Sequence, residues 1–233
     1  MKMLKVKSTT MKVALMIALI FTVSSYASAS TLLTSDAGYG GPVLDLSAYA
    51  NGSYNFTFGP VPIPGGITFT AAPGGGGNSG LGSVIGQGFY GLGDNGSYDA
   101  TPVYIGVDSG TGFATLEFAT AVSEFGGYMN YAPRIGDNAT IWAYDAADNL
   151  IASYDLTVDA PISTPGGLNE FRFRGIQMGA GEELIKKFRF GGNYLLLTGY
   201  EGGAVPTPEP ASIALIATGL AGLGLLRRRT DRS

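Results

Sequence analysis

Glu117 and Glu124 are the residues nearest to a catalytic pair in this chain. Two carboxylates flanking a glycosidic bond can hydrolyse it, provided that they face each other across roughly 5–10 Å. No periodicity sets these two face to face, and solvated strand faces account for both. Asp94, Asn95 and Asp99 could offer oxygens to Ca²⁺, but their spacing is not that of a calcium loop and suits an Asx-rich turn. The chain has no histidine and no cysteine, which removes the commonest general base, the commonest transition-metal ligand and every thiol nucleophile. Gly91-Leu92-Gly93-Asp94-Asn95-Gly96 formally fits a dinucleotide fingerprint, yet Ser97 to Pro102 cannot open the helix that fingerprint requires. No catalysis, metal or cofactor is therefore expected.

Binding chemistry has better material. Between Ser30 and Asn169 the only basic residue is Arg134, after which Arg172, Arg174, Lys186, Lys187 and Arg189 follow closely. Strand alternation sets Arg172 and Arg174 opposite Phe171 and Phe173, and Lys187 and Arg189 opposite Phe188 and Phe190. If the two strands are neighbours, four cations share a solvent face suited to an anionic exopolysaccharide. Glu170, Glu182 and Glu183 supply the competing reading, local neutralisation. Trp142 and Tyr144 share one strand face, with Tyr128, Tyr131 and Tyr154 expected near them. Such rings stack on sugars or pack across strands. A net charge of −4 speaks against nucleic acid.

Strands are expected to carry these groups. Charged residues make up 14% of the chain against 37 glycines and 13 tyrosines, a balance that favours turn-rich β structure. Val43–Tyr49 and Ser53–Phe58 read as a hairpin around Asn51-Gly52. Gly59–Gly66 reads as a connection, Ile67–Ala71 as a strand and Pro73–Gly96 as a long loop. Further strands are expected at Val103–Val107, Phe113–Ala119 and Val122–Ala132, the last with a bulge at Gly126-Gly127. Ala139–Asp145 and Leu150–Val158 form a hairpin, and Glu170–Met178, Leu184–Phe190 and Tyr194–Tyr200 complete the set. Turn signals roughly every 8–12 residues predict an all-β, antiparallel β-sandwich or barrel, not βαβ units.

Both ends read as addresses. Lys2, Lys5, Lys7 and Lys12 precede an apolar run from Val13 to Val23, and Ala27 and Ala29 are the small residues a signal peptidase reads. Residues 1–29 form an expected signal peptide with a short helix, cut after Ala29. At the other end Pro206, Pro208 and Pro210 hold an extended stem. The apolar run from Ala211 to Leu226, at about 1.5 Å per residue, spans only ~24 Å against a ~30 Å hydrocarbon core. Arg227, Arg228 and Arg229 stop it on the cytoplasmic side. The result is a sorting segment over residues 204–233 that holds a marginal transmembrane helix from Ala211 to Leu226, with a body of about 175 residues (30–203) exported between the two signals.

Pro208-Glu209-Pro210, flanked by Val205, Pro206, Ala211 and Ser212 and followed by the glycine-rich apolar run and the arginine cluster, closely resembles the PEP-CTERM protein-sorting signal of Gram-negative bacteria. That resemblance implies an inner-membrane-anchored precursor handled by signal peptidase and then by exosortase, a membrane transpeptidase, on its way to the cell surface or extracellular matrix. By itself it says nothing of what the body does; association with exopolysaccharide or a biofilm is expected from the cation face. Phe118 to Leu156, with Phe125-Gly126-Gly127-Tyr128 and Ala143-Tyr144-Asp145, resembles jelly-roll bodies often joined to this tail. Phe171–Ile176 and Ile185–Phe190 are similar to their closing strands, which implies a galactose-binding-like or concanavalin-like sandwich. The expected role is a non-enzymatic surface or matrix protein; the alternatives are a carbohydrate-binding module and, last, a carboxylate-dependent glycoside hydrolase.

Overall fold

The computed structural model describes residues 29–71 and 82–199. All of them belong to the first of two units, which ends at Gly199. The signal segment up to residue 28, Ala27 included, and the sorting segment with Pro208, Glu209, Pro210, Arg227, Arg228 and Arg229 lie outside the described residues. Among the described residues no helix is long and apolar enough to cross a membrane.

Fifteen strands carry the fold: β1 (Thr31–Leu33), β2 (Tyr54–Thr57), β3 (Val61–Ile63), β4 (Ile67–Ala71), β5 (Ser83–Gly86), β6 (Tyr90–Gly91), β7 (Ser97–Tyr98) and β8 (Tyr104–Gly106), then β9 (Phe113–Val122), β10 (Glu124–Asn130), β11 (Thr140–Tyr144), β12 (Leu150–Asp155), β13 (Arg172–Gln177), β14 (Ile185–Gly191) and β15 (Leu196–Thr198). Seven form one sheet in the order β1-β13-β10-β15-β8-β5-β2, six form a second in the order β12-β11-β14-β9-β4-β3, and β6 and β7 pair alone. Among the described residues every pairing of one of these strands with another is antiparallel. The body is all-β and compatible with a jelly-roll-like fold.

The two large sheets share one apolar core. Phe69, Leu116, Ile141 and Phe188 enter it from the six-stranded sheet, and Ile105, Phe125, Met129, Ile176 and Leu197 from the seven-stranded sheet. Phe125 joins the two sides, with its ring centroid 4.9 Å from that of Phe118 and 4.8 Å from that of Phe188. Truncating so central a ring to alanine costs about 3–5 kcal/mol.

The sheets differ in what covers their outer faces. Strands β4, β9 and β11 alternate buried and half-buried positions, as strands with one wet face do. Strands β5, β8, β10 and β15 are buried at every position. A second apolar cluster explains this: Val84, Tyr104 and Leu196 on the outer face meet Tyr90, Leu92 and Tyr98 from the β6–β7 ribbon. Beside it the segment around Tyr39 straps over β10 and β13. The Tyr39 ring lies 5.2 Å from Phe173, Gly40 N donates to Glu124 Oε1 at 2.8 Å, and Tyr128 donates to Asp36 Oδ2 at 2.7 Å.

Four expectations about elements are corrected. Val43–Tyr49 is not a strand: Leu44 and Leu46 point inward, but the segment runs into a 3₁₀ turn at Ser47–Tyr49, and β2 pairs with β5 instead. Asn51 serves a local turn, its Oδ1 accepting from Ser53 N at 3.1 Å. The Gly59–Gly66 connection contains β3, which forms a hairpin with β4 across Pro64-Gly65-Gly66. The long loop contains β5, whose burial on both faces leaves no alternation to detect, and β6, too short at two residues to show any. Gly126-Gly127 forms no bulge, because the β10–β13 register is unbroken from Glu124 to Met129. A Cβ on Gly126 would lie 2.8 Å from the Phe173 ring and one on Gly127 2.5 Å from Leu197, so these glycines admit neighbours. The hairpin of β11 and β12 forms as expected.

Candidate binding face

The two carboxylates singled out as a pair sit far from any common site. Glu117 is exposed on the outer face of the six-stranded sheet, opposite Lys187 and Thr68. Glu124 belongs to the outer face of the other sheet, buried beneath the strap and bonded to Gly40 N and to Gln177 Nε2 at 3.0 Å. The core lies between them, so they cannot flank one bond.

The oxygen-rich turn does not converge either. Asp94 pairs with Arg134 at the surface. Asn95 points inward, its amide nitrogen 3.0 Å from Asn130 Oδ1, Tyr131 O and Ile162 O, and its oxygen accepts from Thr164 N at 3.1 Å. Asp99 holds Asn169 Nδ2 at 2.8 Å and Thr101 N at 2.8 Å, and these bonds keep its carboxyl below the usual carboxylate range. Gly96 is followed by a two-residue strand, not a helix, so the glycine fingerprint lacks its second half. A cleft of about 700 Å³ opens here between Arg134, Asn138, Pro161 and Pro165. Its inner polar groups, Asn95 and the Tyr131 hydroxyl, are bonded to protein partners.

The four-cation face is corrected as well. Strand β13 lies in the seven-stranded sheet and β14 in the six-stranded sheet, so Arg172 and Arg174 cannot share a face with Lys187 and Arg189. Alternation on β13 is as expected, but its direction is reversed: register pairs Arg172 with Met129 and Arg174 with Gly127, while the strap and Tyr128 cover Phe173 on the outer side. Arg174 is only 7% exposed and donates to the carbonyls of Ala160 (3.0 Å), Phe173 (2.7 Å) and Pro161 (3.2 Å). Burial lowers its affinity for the proton below that of a free guanidinium. Arg172 is exposed and pairs with Glu170 at 3.4 Å.

The outer face of the six-stranded sheet does assemble a constellation. Register aligns Ser153, Trp142, Arg189, Thr115 and Thr70 across five adjacent strands, and beside that row Tyr144, Lys187, Glu117 and Thr68. At about 4.8 Å per strand the first row is ~19 Å long. The Arg189 guanidinium carbon lies 4.1 Å from the Phe113 ring centroid and 4.7 Å from that of Tyr144, and Nη1 donates to the Tyr144 hydroxyl at 3.1 Å. Cation–π contact with two rings holds that charge in place. Gly191, opposite Phe113, makes this possible: a Cβ there would meet the Phe113 Cβ at 2.7 Å. Lys187 bonds to Asp148 Oδ1 at 2.6 Å, which raises its affinity for the proton.

Trp142 and Tyr144 therefore share a face as expected, whereas their expected companions lie elsewhere. Tyr154 turns toward the core and donates to Ser30 O at 2.7 Å, Tyr131 is buried, and Tyr128 sits on the other sheet against Phe171 and Phe173. Sequence reading missed Phe113, Thr115, Thr70 and Ser153. Their alternation was visible, but strands β4, β9, β14 and β11 are brought together by long-range pairing that no local pattern encodes.

Comparison with curated proteins and with solved structures returns no match for the chain. Its C-terminal segment does have one: residues 206–229 match the PEP-CTERM protein-sorting motif. The match covers Pro208-Glu209-Pro210, the apolar run and all three arginines of the cluster. That motif implies export, a membrane-anchored precursor and processing by exosortase. The chain is thus an all-β body that carries a PEP-CTERM sorting motif at its C-terminal end.

Proposed function

We propose that the body is a non-catalytic protein of the cell surface or extracellular matrix that holds exopolysaccharide on the outer face of its six-stranded sheet. The row Trp142–Arg189–Thr115–Thr70 carries this reading. Flat, half-exposed indole, hydroxyl and guanidinium groups in line suit a sugar chain, which offers apolar ring faces and a rim of hydroxyls. Reliance on binding alone accords with a chain that lacks histidine and cysteine and whose two candidate carboxylates are split between sheets. Delivery follows from the two terminal signals: signal peptidase acts after Ala29, the tail holds the precursor in the inner membrane, and exosortase takes over at Pro208-Glu209-Pro210.

Two measurements test the reading. Intact mass and terminal peptides of the protein recovered from its host should show Ser30 as the first residue and loss of the residues after the Pro-Glu-Pro stem. Trp142→Ala should weaken retention of that mature protein by the host's extracted exopolysaccharide by about tenfold, with an unchanged melting curve. Equal retention of Trp142→Ala and the parent protein would refute the binding face.

A further inference from the structure

Of the six cations in the described body, five are already occupied. Arg134 pairs with Asp94, Arg172 with Glu170 and Lys187 with Asp148. Lys186 bonds to the carbonyls of Phe118 and Ala119, and Arg174 to three carbonyls beneath the surface. Arg189 differs. Among the described residues its guanidinium meets neither a carboxylate nor a backbone carbonyl, and its one hydrogen bond goes to the Tyr144 hydroxyl. Its Nε is buried without a partner, and its flanks are taken by Phe113 on β9 and Tyr144 on β11. What remains for a ligand is the Nη1/Nη2 end, a planar fork whose N–H groups match the two oxygens of a carboxylate.

The neighbours narrow the class. Trp142 stands directly across the ladder from Arg189 on one side and Thr115 on the other, so an anion at the fork would lie beside an indole face and a hydroxyl. Glu117 and Asp148 flank Lys187 on the same sheet, and their charge disfavours a polymer dense in sulfate or phosphate. Resting on the glycan-binding reading above, we infer that the sheet face is selective for uronic-acid polysaccharide, with Arg189 gripping the sugar carboxylate end-on while Trp142 stacks on a ring.

Three probes and two variants decide it, using mature protein from the host and titration calorimetry at low salt. Wild type should bind polygalacturonate, bind its methyl ester at least about tenfold more weakly, and bind dextran sulfate no better than the ester. Arg189→Gln should lose the preference for the free acid and bind acid and ester alike. Equal affinity of the wild type for acid and ester, or a preference for dextran sulfate, would overturn the inference, and this arm needs no variant to fold. A full acid preference in a folded Arg189→Gln protein would overturn it too. Trp142→Ala separates the two claims. If it abolishes binding to every glycan while Arg189→Gln changes nothing, the glycan face stands and the carboxylate fork falls; if it changes no glycan's binding, both fall.

Discussion

Asn95 donates its side-chain amide to the amide oxygen of Asn130 across 3.0 Å, and both residues are buried. Through this pair three remote segments are joined. Asn130 Nδ2 donates to Thr164 Oγ1 at 2.9 Å and to Glu170 O at 2.8 Å, Thr164 Oγ1 returns a bond to Asn95 O at 2.9 Å, and Asn130 Oδ1 also accepts from Tyr131 N at 2.8 Å. No apolar side chain of the same size could replace either amide without leaving backbone groups unpaired. Asn130→Ala should therefore cost about 2–3 kcal/mol, read as a lower urea midpoint at unchanged slope. A loss below about 0.5 kcal/mol would show that water substitutes for the amide.

Arg174 and Arg172 make a paired prediction, because they are two positions apart with opposite surroundings. Arg174→Ala strands three carbonyls and opens a gap under the Ala160–Pro161 segment, so a loss of about 2–4 kcal/mol is expected. Arg172→Ala removes an exposed pair with Glu170 and should stay within about 0.5 kcal/mol. Neither should alter glycan binding. Weaker polysaccharide retention by folded Arg172→Ala would contradict the division of the cations between sheets.

How much of this was readable in advance follows from what each strand faces. Strands β9, β11 and β14 have one wet face, so alternation marks them, and the turn between β11 and β12 is marked by Asp145 and Asn149, which the fold uses as caps. Strand β5 reads Ser-Val-Ile-Gly and is buried on both sides, so its sequence carries no period. The same cause hid the direction of β13. Alternation shows that Phe173 and Arg174 point apart, but only the Tyr39 strap, distant in sequence, makes the phenylalanine side the outer one. The binding face was half legible: Trp142, Tyr144, Lys187 and Arg189 are alternation residues, while Phe113 and Thr115 join them only through the β9–β14 register.

Glycines offer a sharper test of close packing. A Cβ on Gly175 would lie 2.6 Å from Phe125 O and 2.7 Å from Gly126 Cα, in the middle of the β10–β13 ladder. Gly181 has a positive φ of 86° but open space around it. Gly175→Ala must separate two paired strands and should cost upwards of about 2 kcal/mol, whereas Gly181→Ala meets only backbone strain of about 1–2 kcal/mol. Thermal melts of the two variants rank them; the reverse order would mean that the ladder yields more easily than the turn.

Buried phenols set the alkaline limit of the fold. Burial pushes the Tyr39 hydroxyl up to about 12, partly opposed by the bond it accepts from Gly126 N. Tyr90, Tyr98 and Tyr104, in the apolar cluster on the outer face of the seven-stranded sheet, are raised further, again chiefly by burial. The sign follows directly. In the unfolded chain these groups ionise near their ordinary value of 10.0, while in the folded chain they hold the proton to higher pH. Their contribution is complete below pH 10 and is lost as pH rises toward and through the folded values, because the unfolded state sheds protons first. Stability should thus fall steeply above about pH 10, and tyrosinate absorbance near 295 nm should appear together with the loss of β-sheet circular dichroism. Tyr39→Phe should reduce that slope while costing about 1 kcal/mol at neutral pH, since Gly126 N loses its acceptor. Gradual ionisation of all the tyrosines in a body whose circular dichroism stays intact would refute the burial of this cluster.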